Sequence, residues 1–361
     1  MNTTLIIDGN WLLMSRLFAC KEYFNVQNDE EERRKGTAEL EDLLCKSINL
    51  VINRFEDIVD NFIIVGDGGS WRKDVKKPDG FETVYKANRT KDAELDWKAV
   101  YQSLDDIFER AQENGITVSK APGIEGDDWI FHWSRYLNNH GTNCIIWSSD
   151  CDLKQLVQVK NGTFTAWLNE SQKGGLPGLV LHKDLNDTFS DDIDMFMQLD
   201  NSNPLLDHLR AMVAAVTYIN PEDIVTQKVV CGDKGDNIKS LITVKNGSRS
   251  SRITEAKWEA IRGNLEITSV NGLLSKRDIV CNECEKLFPK VRIDHKHTLD
   301  MLEYNTILVY LNESTLPREI QEKMNSVEYK KADLSYIKSN YKVLCKLQKH
   351  NDNIEDIFEG I

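Results

Sequence analysis

The 361-residue chain has no apolar run long enough to span a membrane, so no helical membrane protein is expected. Its first strand starts almost at Met1 and leaves no room for a secretory leader, so a cytoplasmic protein is expected. The eight cysteines lack the regular spacing of a disulfide framework. They are scattered, several in apolar runs, as suits reduced thiols. Cys281-x-x-Cys284 followed by His295-x-His297 does not have zinc-finger spacing. Ile279, Val280, Cys284, Leu287 and Phe288 instead form an apolar stripe, so a core helix is expected there. Positive charge is also short: 45 Lys and Arg against 58 Asp and Glu leave a net charge of −13. At face value that argues against a polyanionic partner, although local distribution decides the matter. With 40% hydrophobic and 29% charged residues the composition is that of an ordinary globular protein, of one large or two modest domains.

What is present is acid at strand ends. Thr4–Ile7 is a short apolar run that ends in Asp8, and Phe62–Val65 ends in Gly66-Asp67. Cys144–Trp147 leads to Asp150 and Asp152. Each run has the continuous apolar character of a parallel strand covered on both faces. A helix start at Pro122-Gly123-Ile124-Glu125-Gly126-Asp127-Asp128 adds three more acids, with Ile130, Trp133 and Leu137 following at helical spacing. In such folds ligands sit beyond the carboxyl ends of the strands, so these acids should converge on one crevice. Converging carboxylates repel and need cations. All-oxygen ligands favour magnesium, with manganese as substitute, and two ions about 3.5–4 Å apart form the clamp of phosphoryl-ester hydrolysis.

Basic residues gather directly after Asp67. Arg72, Lys73, Lys76, Lys77, Lys86, Arg89 and Lys91 lie among Trp71 and Tyr85, with loop punctuation at Pro78 and Gly80. Basic residues interleaved with aromatics suit a single strand or frayed end, through phosphate pairing and base stacking; a plain solvated loop is the alternative. Residues 25–36 read as a charged irregular connection, and Leu40–Val59 as an amphipathic helix. Asn161-Gly162 marks a hairpin between 157–159 and 163–167, and 186–210 a polar, acidic connection.

Asp8, Asp67-Gly68-Gly69 with Trp71-Arg72, Tyr85–Arg89, Glu125–Asp128, Asp150–Leu153 and Gly232–Ile238 follow one another in the order of the 5′-nuclease superfamily, which the chain resembles over residues 4–240. That superfamily comprises flap endonucleases and 5′–3′ exonucleases, and the resemblance is nearest to the RNase H type of the T-even phages. It implies an α/β, PIN-like core with a central, mostly parallel sheet, a helix–turn–helix DNA-binding element and a helical C-terminal part. The expected division is 1–185 for the core, with a gateway near 70–98, then 186–350, then a tail at 351–361. The resemblance implies magnesium at two or more positions. Asp8, Asp67, Glu125, Asp127 and Asp128 would serve the first, and Asp150, Asp152, Asp233 and Asp236 the second. Lys86 and Arg72 would stabilise charge on the scissile phosphate, and Tyr85 would stack on a base. Arg89, Lys73, Lys76, Lys77, Lys234, Lys239 and Lys245 would contact DNA or an RNA–DNA hybrid. The family's glycine-rich potassium-binding hairpin is replaced here by Lys239–Gly247 and a Ser/Arg stretch, which leaves a potassium ion without its usual residues.

The last residues flank Ile354, Ile357 and Phe358 with acids, a pattern resembling sliding-clamp-binding tails; a frayed end is the alternative. A single-stranded DNA-binding protein is a further expected partner, and a monomer is expected. An aspartyl phosphatase would need an acid two residues after Asp8, where Asn10 stands. A receiver domain is too short for this chain. A junction-binding protein on the same fold, or an RNA-directed nuclease, stays open; the complete acid set favours an active 5′-nuclease that removes primers or flaps in replication.

Overall fold

The computed structural model describes residues 2–160, 162–169, 176–185, 204–246 and 249–346, with the side chains of 204, 207, 245, 246 and 249 left aside. Ile354, Ile357, Phe358, the Lys245 side chain and most of the 186–210 connection therefore lie outside the described residues. Two compact units share the chain unevenly. Residues up to Gly69, Asp92–Ile219 and those from Glu322 onward make the first; Ser70–Lys91 and Asn220–Gln321 make the second.

The first unit is built on an eight-stranded sheet. Its elements run β1 (Thr3–Asp8), α1 (Gly9–Leu17), α2 (Glu30–Arg54), β2 (Asn61–Val65), α3 (Trp97–Glu113), β3 (Thr117–Ser119), α4 (Gly126–Asn139), β4 (Asn143–Trp147), β5 (Gln158–Lys160), β6 (Thr163–Asn169), β7 (Gly178–His182), α5 (Pro204–Ala211) and β8 (Ala215–Ile219). β1 pairs in parallel with β2 on one side and β4 on the other; β2–β3, β4–β6 and β7–β8 are also parallel. β5 and β7 run antiparallel to β6. Every residue of β1, β2 and β4 is buried, which is why each reads as a continuous apolar run. The chain steps outward from β1 to β2 and β3, then returns to β1's other side as β4. That reversal opens a crevice beyond the carboxyl ends of β1 and β4.

Helix α2 begins at Glu30, ten residues before the amphipathic stretch, where the sequence suggested an irregular connection. Asp29 caps it by accepting the Glu32 amide at 2.8 Å, and Glu30, Glu31 and Glu32 occupy the first turn, where the helix dipole favours acid. The acid block is thus a helix start rather than a loop. β5 and β6 pair antiparallel on either side of the hairpin expected at 161–162, of which Asn161 lies outside the described residues.

In the second unit α6 (Pro221–Cys231) is followed by a turn, a ribbon of β9 (Thr243–Asn246) and β10 (Arg249–Arg252), then α7 (Glu255–Asn264), α8 (Val270–Ser275), α9 (Arg277–Lys286) and α10 (His295–Val309). Where the resemblance implies a helix–turn–helix element, α6 and α7 thus have a ribbon between them. Val229, Trp258, Val280, Cys281, Cys284 and Leu302 form its core. The stripe on α9 is carried by Val280, Cys281 and Cys284, while Ile279 is 52% exposed. Cys281 and Cys284 are core residues, as the apolar pattern predicts.

The first unit closes on a polar stitch. Buried Asn61, at the start of β2, donates to the Tyr329 hydroxyl (2.8 Å) and the Lys330 carbonyl (2.9 Å). Its side-chain oxygen accepts the Ala332 amide at 3.1 Å. Asn61→Ala strands buried partners and is expected to cost about 2–3 kcal/mol in urea unfolding; a loss below about 0.5 kcal/mol would contradict a structural role for the stitch.

Candidate active site

Asp8 is at once the last residue of β1 and the N-cap of α1. One of its oxygens accepts the Trp11 amide at 3.0 Å. The other accepts the Ser148 hydroxyl at 2.7 Å. The strand register explains that second contact: Ile7 pairs with Trp147, so the next residues on β1 and β4, Asp8 and Ser148, emerge side by side. Ser148 in turn accepts the Asp150 amide at 3.0 Å, and Asp150 accepts the Asp152 amide at 2.9 Å. One line of hydrogen bonds therefore strings together Asp8, Ser148, Asp150 and Asp152.

Asp67 follows β2 by two residues. Its amide donates to the Asn10 side chain at 2.9 Å, and its carboxylate accepts the Gly126 amide, at the first turn of α4, at 2.6 Å. That bond ties Asp67 to the helix start carrying Glu125, Asp127 and Asp128. Glu125 and Asp128 are buried and form a reciprocal capping box, while Asp127 is half-buried. Gly68 makes this approach feasible. A Cβ there would lie 1.8 Å from the Ala121 carbonyl oxygen, and the Gly68 amide donates to the Ile124 carbonyl at 2.8 Å.

Burial pushes the Asp8 carboxyl up to about 7. The Trp11 and Ser148 hydrogen bonds oppose this, while the charges of Asp67 and Asp150 add to it. Asp8 thus feels the charges of both Asp67 and Asp150. The Tyr101 phenol on α3 is also raised, by burial and then by the Asp67 charge. Among the described residues no group of three or more Asp, Glu, His or Cys side chains is poised as a ready-made metal cage. In the arrangement seen, protein donors occupy oxygens of Asp8, Asp67 and Asp150.

Asp233 and Asp236 lie in the second unit, and both are engaged there. Asp233 accepts Lys228 Nζ at 2.6 Å and the Gly235 amide at 2.7 Å. Burial pushes its carboxyl up, but the hydrogen bond and charge of Lys228 outweigh this and hold it below the usual range. Asp236 is 7% exposed and is the hub of the basic segment. It accepts the Tyr85 hydroxyl at 3.1 Å, pairs with Arg89, and lies 3.8 Å from Lys86 Nζ. Its carbonyl accepts the Lys86 amide at 2.9 Å. Two side-chain amides reinforce the junction: Asn88 donates to the Lys234 carbonyl and Asn237 to the Val84 carbonyl, each at 2.9 Å. Lys86 takes a left-handed φ of 56° here.

These placements revise several expectations. Tyr85, expected to stack on a base, is 4% exposed and packs in the core of the second unit. Arg72, expected at the scissile phosphate, is 2% exposed, its guanidinium 4.6 Å from the Trp71 ring centroid. Lys73, Lys76, Lys234, Lys239 and Arg89 are exposed and Lys77 half-buried. A groove of about 1040 Å³ in the same unit is lined by Lys234, Lys239, Arg252, Arg292, Phe81 and His297, among others. Ser148, Asn10 and Tyr101 escaped sequence reasoning. A serine two places before an aspartate has no signature of its own, and only the register brings it to Asp8.

Residues 3–175 match the family model described as the 5′-3′ exonuclease N-terminal, resolvase-like domain. The 5′-3′ exonuclease of Buchnera aphidicola subsp. Acyrthosiphon pisum is 30% identical over 156 residues, 43% of this chain; the match spans 49%, about half, of that relative's length. The bacteriophage T5 protein co-crystallised with metal ions superposes with a TM-score of 0.52 at 15% identity, covering 96% of this chain and 100% of that one. The T5 flap endonuclease in a pseudo-enzyme-product complex with DNA and metal ions gives 0.52 at 16% identity, covering 94% and 100%. Fold and site together define an α/β protein with an acidic crevice at the switch point of a mostly parallel sheet. These similarities support a 5′-nuclease superfamily assignment for residues 3–175.

Two outcomes follow from the site. The Asp8 carboxyl is raised in the folded protein, so its burdening of the fold grows as pH rises from about 4 to about 7 and is constant above. The stability gap between Asp8→Asn and wild type in EDTA is expected to widen in favour of the variant by up to about 1.4 kcal/mol per pH unit across that window. A gap that does not change with pH would contradict it. Asp236→Ala should release the basic segment and speed tryptic cleavage after Lys86 and Arg89 at least several-fold; unchanged digestion would show that Asp236 is not its anchor.

Proposed function

We propose that the chain is a metal-dependent 5′-nuclease that hydrolyses phosphodiesters near 5′ ends of DNA or RNA–DNA hybrids, as a 5′–3′ exonuclease and flap endonuclease. The observation that carries this reading is the convergence of Asp8, Asp67 and Asp150 at the switch point, with Asp8 penalised by burial and by the other two charges. Such a site favours a bound cation. The donor set is all oxygen, which fits magnesium, with manganese as substitute. The T5 relatives crystallised with metal ions lend support to a divalent cofactor.

Asp8, Asp67, Asp150 and Asp152 would hold the ions, with Glu125, Asp127 and Asp128 contributing from the α4 start. Bound divalent ions supply Lewis acidity toward a phosphoryl oxygen and a water acidified for attack. The protein's own part is to hold carboxylates in register: Trp11 and Ser148 orient Asp8, Gly126 orients Asp67, and the Asp152 amide orients Asp150. Asp233 and Asp236 are better suited to organising the basic segment, given their ion pairs with Lys228, Lys86 and Arg89. The exposed Lys73, Lys76, Lys234 and Lys239 offer phosphate contacts to a 5′ end. Removal of primers or flaps in DNA replication, as in the RNase H type of the T-even phages, is the corresponding role. A sliding clamp engaged through Ile354, Ile357 and Phe358, and a single-stranded DNA-binding protein, are the partners this role implies.

One observation favours a second reading. Protein donors already hold oxygens of Asp8, Asp67 and Asp150, which suits a junction-binding protein on the same fold that does not cut. A 5′-labelled flap and an RNA–DNA hybrid, each with magnesium and with EDTA, separate the two. The nuclease reading expects magnesium-dependent short 5′ products, reduced at least a thousandfold in Asp150→Asn while DNA binding is kept, roughly the size of an electrostatic catalytic contribution. Binding without cleavage under every divalent ion tried would leave the junction-binding protein standing.

A further inference from the structure

We propose that Ser148 is a positioning residue of the acidic crevice, setting the orientation of Asp8 and Asp150 for a divalent cation; the inference rests on the nuclease reading above. Ser148 is fully buried and follows β4 directly. A hydroxyl has one proton to give and two lone pairs to receive with. The Asp150 amide can only donate, so at 3.0 Å the Ser148 oxygen is its acceptor. The single hydroxyl proton is then directed to Asp8, 2.7 Å away. With Asp8 ionised, as a cation ligand is, the direction of both bonds is fixed.

The consequence for Asp8 is geometric. The Trp11 amide holds one oxygen and Ser148 the other, so the carboxylate cannot rotate about its Cβ–Cγ bond without breaking a hydrogen bond. Of about four lone-pair sites on an ionised carboxylate, two are taken by the protein and two stay for a cation. The same serine sets the backbone of Asp150, whose carboxylate in turn receives the Asp152 amide. A single buried hydroxyl therefore couples acids from the ends of two neighbouring strands. Outer partners of this kind hold ligands in the geometry a metal needs, and losing one typically weakens affinity 10–100-fold. Thr or Val at this position would share one shape and differ in the hydroxyl alone.

The test is calorimetric titration of the full chain with manganese, for wild type, Ser148→Ala, Ser148→Thr and Ser148→Val, with metal-free melting in EDTA as the control for folding. Ser148→Ala and Ser148→Val are expected to weaken manganese binding about 10–100-fold, and Ser148→Thr to restore it to within a few-fold. In flap cleavage the Ala variant should need correspondingly more manganese and regain most of its rate at saturation. Folded Ala or Val variants that bind manganese as tightly as wild type would overturn the role of Ser148 while leaving the metal centre intact. If Ala does not fold, the Thr and Val pair decides alone: equal affinities overturn the proposal. Failure of wild type itself to bind manganese would overturn the metal-centre reading, and this inference with it.

Discussion

Like charges gathered beyond the carboxyl ends of neighbouring strands persist only where donors or cations answer them. In this molecule Asp8, Asp67 and Asp150 are each answered first by the protein: by Trp11 and Ser148, by Gly126, and by the Asp152 amide. Those bonds offset part of the repulsion, yet Asp8 stays raised because burial outweighs them. The fold concentrates this strain at one place. With β1 between β2 and β4, the side chains leaving all three strands meet at the switch point. Gly68 lets the loop after β2 lie against the Ala121 carbonyl, and the Gly126 amide can then reach Asp67. An α/β frame buried on both faces thus supports a polar edge that would be unstable on a looser scaffold.

A second carboxylate organises the other unit by the opposite route. Asp236 is buried but fully engaged, by the Tyr85 hydroxyl and by the cations Lys86 and Arg89. Its neighbours in the same unit are cations, whereas Asp8 has neighbours of its own sign. The contrast separates two uses of acid that look alike in sequence. One set is arranged around a point at the strand ends; the other anchors a basic segment.

The strands and their terminal acids were legible because a buried parallel strand leaves a continuous apolar run, and the residue ending it is the one that meets solvent. The start of α4 was legible from Gly123, the acids and the period of Ile130, Trp133 and Leu137. The start of α2 was missed because acids at residues 30–32 read as a solvated block until Asp29 is seen capping them. The division of labour among the acids was not legible either. Asp236 meets Tyr85 and Arg89 across about 150 residues of chain, and no local pattern announces such a pairing. Nor does the order of motifs foretell that Tyr85 and Arg72 are buried, since aromatic and basic residues in a loop-like stretch look exposed until their partners are known. Ser148 became visible only through the β1–β4 register.

The central claim is that the strand-end acids form a cation site, and anomalous diffraction tests it most directly. Crystals soaked in manganese and measured at the manganese edge should show a peak about 2–2.5 Å from oxygens of Asp8 and at least one of Asp67 and Asp150, the range of oxygen coordination for hard cations. Peaks confined to other surfaces, with Asp8 still holding only Trp11 and Ser148, would contradict it.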